Sequence, residues 1–307
     1  MNGFQSNSLN IYGEKGKAWL DELPEIVAAI SSRLDLRDLK EVTNLTYNYV
    51  LSGFHGDNPI ILKLGIDNAG LKREAFALKC FAGYGAVKVL AEDEGMLLLE
   101  RAVHGTSLKS YFPDKERESI EIACGVIKKL DQANISTANN FPHIKDWLKA
   151  LDRHCEEFTT KQSRTGSPRF ARDDELLNYL QKARRFRDQL LKTAEPDVLL
   201  HGDLHHDNIL QNGNDWMVID PAGVIGEPAY EVAAFIRNPI PELLCIHNAS
   251  RIIQNRMATF SDLLNIPKTK IADWCFVESV LSWIWNIQDK LDTEYFIKLT
   301  KIFNEGH

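Results

Sequence analysis

The sequence predicts an α+β protein in which a β-rich segment near the amino terminus lies between helical segments. Three observations predict it: helical spacing of apolar residues over 17–34, β-branched and aromatic residues over 42–64, and helical spacing from residue 107 onward with one short interruption. The chain has 307 residues, of which 44% are hydrophobic. It is therefore long enough to bury the core of one large domain or of two lobes.

Charge and cysteine content narrow the class of protein. A formal net charge of −7 argues against a nucleic-acid partner, because phosphate contacts require clustered Lys and Arg, and is compatible with a cationic small molecule. The five cysteines lie far apart with no C-x-x-C pair, which predicts reduced thiols rather than a zinc or redox site. The longest apolar stretch, residues 275–287, is short for a membrane span and contains Glu278. We therefore expect a cytoplasmic protein without membrane or nucleic-acid partners.

The first elements are a helix and a β-hairpin. Residues 17–34 carry apolar side chains at helical spacing, and Pro24 is expected to divide this helix into two pieces. Residues 42–64 are rich in β-branched and aromatic residues, and the turn residues GFHGDN interrupt them. This pattern predicts two strands joined as a hairpin.

A second helix and a second pair of strands follow. Residues 71–81 return to helical spacing and lead to Gly83, a typical residue after a helix end. Residues 86–102 contain two apolar runs around Glu94 and Gly95. They predict two strands joined by a turn.

One short segment interrupts the helical remainder of the chain. An apolar run precedes the polar motif HGDLHHDNIL, residues 201–210, and the turn NGN separates its last apolar residues from a third apolar run at 216–219. This order predicts a loop followed by a tight β-hairpin.

The polar motif has the residue types that phosphoryl transfer needs. Transfer from ATP requires a carboxylate that orients the acceptor hydroxyl, an asparagine and an aspartate on magnesium, and a lysine on the phosphates. His201, Asp203 and Asn208 have the spacing of a kinase catalytic loop, and Asp220 lies at the end of the third apolar run. Alone, the same His and Asp residues could instead be a metallohydrolase cluster, although such a site needs further ligands.

The lysine and its partner have candidates upstream. Lys63 lies on a predicted strand and Glu74 on the helix that follows, as expected for an ammonium that an acid holds near the phosphates. Taken singly, each is more often an exposed charge on a strand or helix surface. Their order before the polar motif favours the functional interpretation.

With these residues in this order, the chain resembles the aminoglycoside phosphotransferase family, in particular its streptomycin 6-phosphotransferase and hydroxyurea-resistance branch. The motifs that carry the resemblance are LLHGDLHHDNIL, VIDPAGVIGEPAYEVA, LLLERAVHGTSL, LKREAFAL, WLDELPEI and VLSWIWNIQD, which together span almost the whole chain. The resemblance implies a two-lobed protein-kinase-like fold, with a small β-rich lobe over residues 1–101 and a large, mainly helical lobe over 102–307. It also implies Mg-ATP as donor and a hydroxyl of a small molecule as acceptor.

The resemblance assigns roles position by position. It implies that Asp203 is the catalytic base and that Asn208 and Asp220 are magnesium ligands. The residues that it places around the nucleotide are the phosphate lysine Lys63, its partner Glu74 and the adenine-binding hinge from Glu100 to Ala102. His201 and Glu231 would support the catalytic loop.

Three positions depart from the family pattern. The segment in which a glycine-rich phosphate loop is expected has glycine only at Gly53, so phosphate contacts there are expected from side chains such as Thr46 or Asn48. Many relatives have aspartate at the position of Glu231, so the side chain that would support the catalytic loop is longer here by one methylene. Asp131 stands where relatives commonly have histidine, which affects a structural contact.

The late helix supplies the acceptor-site candidates. The resemblance places the acceptor in this part of the chain, and Glu278, Trp285 and Asp289 are candidates for binding an amino or guanidino group. The alternatives are a solvated acidic face for the two acids and helix-core packing for the run from Trp283 to Trp285.

The sequence thus predicts an ATP- and magnesium-dependent O-phosphotransferase for a streptomycin-like aminoglycoside, which would confer resistance. The alternatives are a kinase of the same fold for an amino-alcohol or sugar metabolite, and a nucleotide-binding regulator without turnover. The regulator is disfavoured because all four residues of the transfer chemistry are present. A protein kinase is disfavoured because D-F-G and A-P-E segments are missing.

Overall fold

A computed structural model of the protein describes residues 3–43, 45, 47–133, 141–165 and 171–306. The chain divides into two compact units. The amino-terminal unit consists of Met1–Ser107 with Leu210–Ala222, and the carboxyl-terminal unit consists of Leu108–Ile209 with Gly223–His307. The first is rich in strands and the second is mainly helical, as the sequence predicts.

The amino-terminal unit is built on a five-stranded antiparallel sheet with the strand order β1-β2-β3-β5-β4. Its strands are β1 (Leu36–Glu41), β2 (Tyr49–His55), β3 (Asn58–Leu64), β4 (Val89–Asp93) and β5 (Met96–Glu100). Both predicted hairpins are confirmed, with full pairing from Tyr49 opposite Leu64 to His55 opposite Asn58 in the first. The edge strand β1 is not predicted from the sequence, because it is charged and largely exposed.

Helix α1 (Gly3–Leu34) covers one face of this sheet. Its apolar side chains, including Leu23 and Ile30, pack against Ile60 and Leu62 of β3. The helix continues through Pro24, so the break expected there is wrong. Its kink lies at Gly13, whose φ of 57° and ψ of −130° are accessible chiefly to glycine.

Helix α2 (Asn68–Cys80) follows β3 directly. The side chain of Asp67 caps its amino terminus by accepting a hydrogen bond from the backbone N–H of Gly70 at 3.0 Å. Because successive side chains of a strand point to opposite faces, Lys63 lies on the other face of the sheet from Leu62 and Leu64. That face carries α2, and it is where Lys63 meets its partner.

The hairpin of β8 (Ile209–Asn212) and β9 (Asp215–Val218) is confirmed, and most of it belongs to the amino-terminal unit. Together with β6 (His104–Ser107) it forms a three-stranded sheet. Val218 accepts a hydrogen bond from the backbone N–H of Val87 at 3.1 Å and donates one to Gly85 at 2.8 Å. The hairpin thus pairs with the segments before β4 and after β5. This pairing explains why the amino-terminal unit includes Leu210–Ala222 and differs from the predicted lobe over residues 1–101.

Eight helices and a two-stranded ladder are described in the carboxyl-terminal unit. The helices are α3 (Glu116–Leu130), α4 (Ile144–Thr165), α5 (Ala171–Lys192), α6 (Val232–Arg237), α7 (Glu242–Cys245), α8 (Ala249–Leu264), α9 (Lys268–Gln288) and α10 (Glu294–Glu305). Helix α9 is the central one, since its side chains from Trp274 to Ile284 are all buried. Trp283 is 2% exposed, which agrees with helix-core packing. No helix of the described residues is sufficiently long and apolar to pass through a membrane.

The ladder fixes both ends of the segment that carries the polar motif. Strand β7 (Val198–Leu200) pairs antiparallel with β10 (Val224–Gly226), and the backbone N–H of Gly223 donates to the carbonyl of His201 at 3.1 Å. A Cβ at Gly226 would lie 2.7 Å from Ile144 Cγ2, so the ladder packs closely against the start of α4. The motif therefore begins at a rigid, buried strand end.

Candidate active site

Lys63 is a buried cation that contacts two carboxylates in the amino-terminal unit. Its Nζ lies 2.7 Å from Glu74 Oε2 and 3.0 Å from Asp220 Oδ1, and its side chain is only 6% exposed. Burial lowers the pKa of Lys63, but the carboxylates of Asp220 and Glu74 outweigh burial and raise it. The ammonium therefore stays charged. The structure brings together Lys63, Glu74 and Asp220, three of the residues that the sequence assigns to the donor side.

Asp220 has an unusual backbone. Its φ is 57°, in the left-handed region that non-glycine residues seldom adopt. Asp220 lies two residues after the end of β9 and directly before Pro221. Its side chain is 45% exposed, in contrast to that of Lys63. Such backbone conformations cost free energy and cluster at functional sites. Asp220 thus presents an accessible carboxylate that is anchored on one oxygen by Lys63.

The loop after β7 is held by one buried acid, Glu231. Its Oε2 accepts a hydrogen bond from the backbone N–H of His201 at 2.6 Å, and its Oε1 accepts one from Gly202 at 3.0 Å. Gly202 has a φ of 81°, which turns the chain toward Asp203. His201 is fully buried, and its Nδ1 accepts from the backbone N–H of Asp203 at 3.3 Å. Despite its extra methylene, Glu231 reaches both donors.

The carboxylate of Asp203 lies among cationic and polar groups. Arg237 Nη2 donates to its Oδ1 at 3.0 Å, and His205 Nε2 lies 3.6 Å from its Oδ2. Burial raises the pKa of Asp203, but His205, Arg237 and His201 outweigh burial and lower it. The carboxylate is therefore ionised at neutral pH, as a proton acceptor must be.

Asn208 is oriented by the same loop. Its Nδ2 donates to the backbone carbonyl of Asp203 at 2.9 Å, and its backbone N–H donates to His205 at 2.9 Å. Because the amide nitrogen is engaged, the side-chain oxygen is the end of Asn208 that can serve as a ligand. An amide oxygen is a ligand type that magnesium accepts.

The two histidines of the motif that follow Asp203 have different surroundings. His206 is fully buried and stacks on the ring of Phe235 with centroids 3.9 Å apart. His205 Nδ1 accepts from the backbone N–H of Asp207 at 3.2 Å. Among the described residues, no group of three or more His, Cys, Asp or Glu side chains is arranged to hold a metal ion. The geometry favours packing for His206 over the metallohydrolase interpretation.

Among the nucleotide-site candidates other than Lys63 and Glu74, the structure describes Glu100, Ala102 and Asn48. Glu100 ends β5 and pairs with Lys88, donating through its backbone N–H at 3.0 Å and accepting through Oε1 at 2.8 Å. Ala102 is buried. The Oδ1 of Asn48 lies so close to Gly65 that a Cβ at Gly65 would collide with it. Thr46 lies outside the described residues.

The acceptor-site candidates occupy different surroundings along α9. Glu278 is buried, and its Oε1 accepts from Arg237 Nε at 2.9 Å and from Ser282 Oγ at 3.0 Å. Trp285 is half-buried and packs edge-to-face against Trp147 of α4 with ring centroids 5.9 Å apart. Asp289 is exposed and closes the helix, with its backbone N–H donating to Trp285 at 2.9 Å. Only Glu278 is linked to Asp203, through Arg237.

A protein-family model described as aminoglycoside/hydroxyurea antibiotic resistance kinase matches residues 49–290 of the chain. The chain belongs to this family. The resemblance that the sequence motifs predict is confirmed, and the protein is a phosphotransferase. The matched residues include Lys63, Glu74, Asp203, Asn208 and Asp220.

Known relatives of this kinase extend the comparison. Streptomycin 6-kinase of Streptomyces griseus is 23% identical over 288 residues, which cover 91% of this chain and 88% of the relative. Choline kinase LicA from Streptococcus pneumoniae superposes with a TM-score of 0.65 at 14% identity, covering 93% of this kinase and 98% of LicA. A thermostable mutant of aminoglycoside phosphotransferase APH(4)-Ia in complex with ADP and hygromycin B superposes with a TM-score of 0.61 at 16% identity. The match covers 91% of this kinase and 98% of the APH(4)-Ia chain. The two structures confirm the predicted protein-kinase-like fold.

Sequence reasoning missed Arg237 and Trp147 of the kinase. Arg237 is a charged residue at the end of the buried run Val232–Ile236, and a charge in that position needs a buried partner. That signal was available in the sequence, although it does not name the partner. Trp147 offered no signal, because a tryptophan on an amphipathic helix is most often part of the core.

Burial raises the pKa of Glu231 to about 8, with added effects of Asp131 and Asp203, although the N–H donors of Gly202 and His201 oppose it. The contribution of this acid to the free energy of unfolding is present below its ordinary pKa and is lost as pH rises through about 8. Between pH 5 and 8, we therefore expect the stability of the wild type to fall more steeply than that of Glu231→Gln. Urea unfolding across this pH range measures the difference.

The matched control is Glu118→Gln, since Glu118 is an exposed partner of Lys115 on α3. This variant should keep the pH dependence of the wild type. Parallel curves for wild type and Glu231→Gln would show that Glu231 is ionised in both the folded and the unfolded state.

Proposed function

We propose that this kinase transfers the γ-phosphoryl group of ATP to a hydroxyl of a streptomycin-like aminoglycoside and thereby confers resistance to it. The observation that carries the donor chemistry is the contact of the buried Lys63 with the buried Glu74 and with the accessible carboxylate of Asp220. A lysine held in this way offers a fixed positive charge to the phosphates of a nucleotide. Glu74 prevents the ammonium from rotating away.

Asp203 is the proposed base. In the transfer, its Oδ2 accepts the proton of the acceptor hydroxyl, the hydroxyl oxygen bonds to the γ-phosphorus, and the bond from that phosphorus to the bridging oxygen of ADP breaks. Support comes from the ionised state of Asp203 and from the hydrogen bonds that fix its loop to Glu231 and His201. Glu231 and His201 are thus proposed as structural support rather than as reacting groups.

Asn208 and Asp220 are the proposed protein ligands of magnesium. Their side chains fit this ion, because they offer an amide oxygen and a carboxylate oxygen, and magnesium prefers few protein oxygens together with phosphates and water. Bound magnesium neutralises charge on the phosphates. The hinge from Glu100 to Ala102 is proposed to contact the adenine, and Asn48 and Thr46 the phosphates.

The acceptor class rests on the relatives. The similarity to streptomycin 6-kinase extends over most of both chains, and streptomycin is a cationic acceptor that suits a chain with net charge −7. Trp285, paired with Trp147, offers an aromatic surface for a cation, and Asp289 offers an exposed carboxylate. Glu278 has a different task, because its charge is already paired with Arg237.

The experiment that tests this proposal is ADP release from Mg-ATP with streptomycin, with hygromycin B and with choline. Streptomycin-dependent release is expected, and phosphate on the antibiotic should be confirmed by mass spectrometry. Expression in a susceptible strain should raise the streptomycin concentration that it tolerates. Turnover with choline in place of streptomycin would overturn the acceptor class but leave the transfer chemistry intact. No turnover with any acceptor would contradict the proposed function.

A further inference from the structure

Arg237 is a cation at the carboxyl-terminal end of α6. The residues before it, Val232–Ile236, are all buried, and the side chain of Arg237 is 14% exposed. A guanidinium with so little access to water is stable only with charged partners. Those partners identify what the residue does.

The guanidinium joins two acids of the carboxyl-terminal unit. Its Nη2 donates to Asp203 Oδ1 at 3.0 Å, and its Nε donates to Glu278 Oε1 at 2.9 Å. Glu278 is 5% exposed at its side chain, and the same Oε1 accepts from Ser282 Oγ at 3.0 Å. The chain of contacts therefore runs from α9 through Arg237 to the carboxylate of Asp203.

The backbone of Arg237 is fixed as well. The hydroxyl of Tyr295 donates to its carbonyl oxygen at 2.6 Å. The fully buried Arg256 donates to the carbonyls of Phe235 and Ile236 at 3.3 and 3.1 Å. A side chain held at both its charged end and its backbone can impose its own position on a partner.

We propose that Arg237 is a positioning residue that holds Oδ1 of Asp203 so that Oδ2 faces the acceptor hydroxyl. This inference rests on the proposed role of Asp203 as base. His205 Nε2 lies 3.6 Å from Oδ2, whereas Arg237 Nη2 lies 3.0 Å from Oδ1, so among the described side chains Arg237 is the charged group within hydrogen-bonding distance of this carboxylate. Glu278 and Ser282 act through Arg237 and do not bind the acceptor.

A lost positioning contact should lower the rate of the transfer and leave nucleotide binding unchanged. We expect Arg237→Met to lower kcat for streptomycin-dependent ADP release by about 10- to 100-fold, the usual effect of losing a group that orients a catalytic residue. The KM for ATP should change by less than about twofold, since the side-chain partners described for Arg237, Asp203 and Glu278, are not residues of the proposed donor site. Arg237→Lys keeps the positive charge but not the planar guanidinium that donates to two carboxylates, and should recover only part of kcat.

Two further variants separate positioning from folding. Arg237→Met/Glu278→Met removes both charges, so that no buried carboxylate is left unpaired, and should show the same loss of kcat. Arg187→Met is the matched control, because Arg187 is 12% exposed and pairs with Asp152. It should keep the kcat of the wild type.

A double-mutant cycle with Asp203→Asn gives the decisive readout. If Arg237 acts through the carboxylate of Asp203, then Arg237→Met should lower the residual rate of Asp203→Asn by less than about twofold. An equal loss in both backgrounds would overturn the inference, as would a full kcat in Arg237→Met. Normal turnover in Asp203→Asn would instead overturn the proposed base, and this inference with it.

Discussion

Replacing Asp203 by asparagine is expected to lower kcat for streptomycin-dependent ADP release by about 10²- to 10⁴-fold, the contribution of a positioned base. Asparagine has nearly the shape of aspartate, but its amide oxygen is not basic enough to take the acceptor proton. The loop should keep its fold, because the bonds from Asn208 and to His201 involve only the backbone of Asp203. Turnover at saturating ATP and streptomycin measures the effect.

The matched control is Asp207→Asn, which makes the same chemical change four residues later in the same loop. The carboxylate of Asp207 is 47% exposed and lies 3.8 Å from Lys109. This variant should keep kcat within about twofold, since an exposed ion pair of that length contributes little. ATP binding, measured by calorimetry, should be retained in both variants. A kcat for Asp203→Asn within tenfold of the wild type would contradict the assignment of the base.

The parts of the site that the sequence predicts are held together by local structure. Asp203 and Asn208 lie five residues apart in one loop, and the hydrogen bond from Asn208 Nδ2 to the carbonyl of Asp203 joins them. Lys63 and Glu74 are joined by one strand and one helix, so their order along the chain already implies that they meet. When few residues separate two partners, their spacing in the sequence therefore predicts that they lie close together.

The parts that the sequence does not predict depend on contacts between distant segments. Arg237 is 34 residues from Asp203 and 41 from Glu278 in sequence, and the packing of α6 against α9 brings these residues together. Sequence indicates that Glu278 lies on an apolar helix and so needs a partner, but not which cation supplies it. The sequence therefore gives Glu278 as a candidate for binding the acceptor, and the structure adds that its carboxylate is paired with Arg237.

The kink in α1 and the boundary of the amino-terminal unit are two further features that the sequence pattern does not predict. Pro24 is compatible with the helix in which it lies, whereas Gly13 adopts a backbone conformation that no periodicity reveals. The hairpin formed by β8 and β9 follows the polar motif in sequence but pairs with residues before β4. Hydrogen bonds between distant segments decided both the unit boundary and the surroundings of Asp220.

Arg256→Met is expected to lower the free energy of unfolding by about 3 kcal/mol, as breaking a buried ion pair on one side usually does. Arg256 is fully buried, and its Nε and Nη2 each lie 2.7 Å from a carboxylate oxygen of Glu116 at the start of α3. Its Nη1 donates to the carbonyls of Phe235, Ile236 and Asn238 at the end of α6, where helix carbonyls need partners from outside the helix. The carbonyl of Phe235 also accepts from the backbone N–H of Asn238. Methionine fills much of the volume but satisfies none of these acceptors.

Urea unfolding with linear extrapolation measures this loss. Arg117→Met is the control, because Arg117 is 77% exposed and pairs with Glu121 one turn along α3; its loss should cost no more than about 0.5 kcal/mol. Arg256→Met/Glu116→Gln should recover part of the stability, since it removes the unpaired carboxylate but still removes the donor to the carbonyls of Ile236 and Asn238. A change below about 1 kcal/mol in Arg256→Met would mean that water reaches these acceptors. Because α6 also ends in Arg237, the same variant should lower kcat at temperatures where it is still folded.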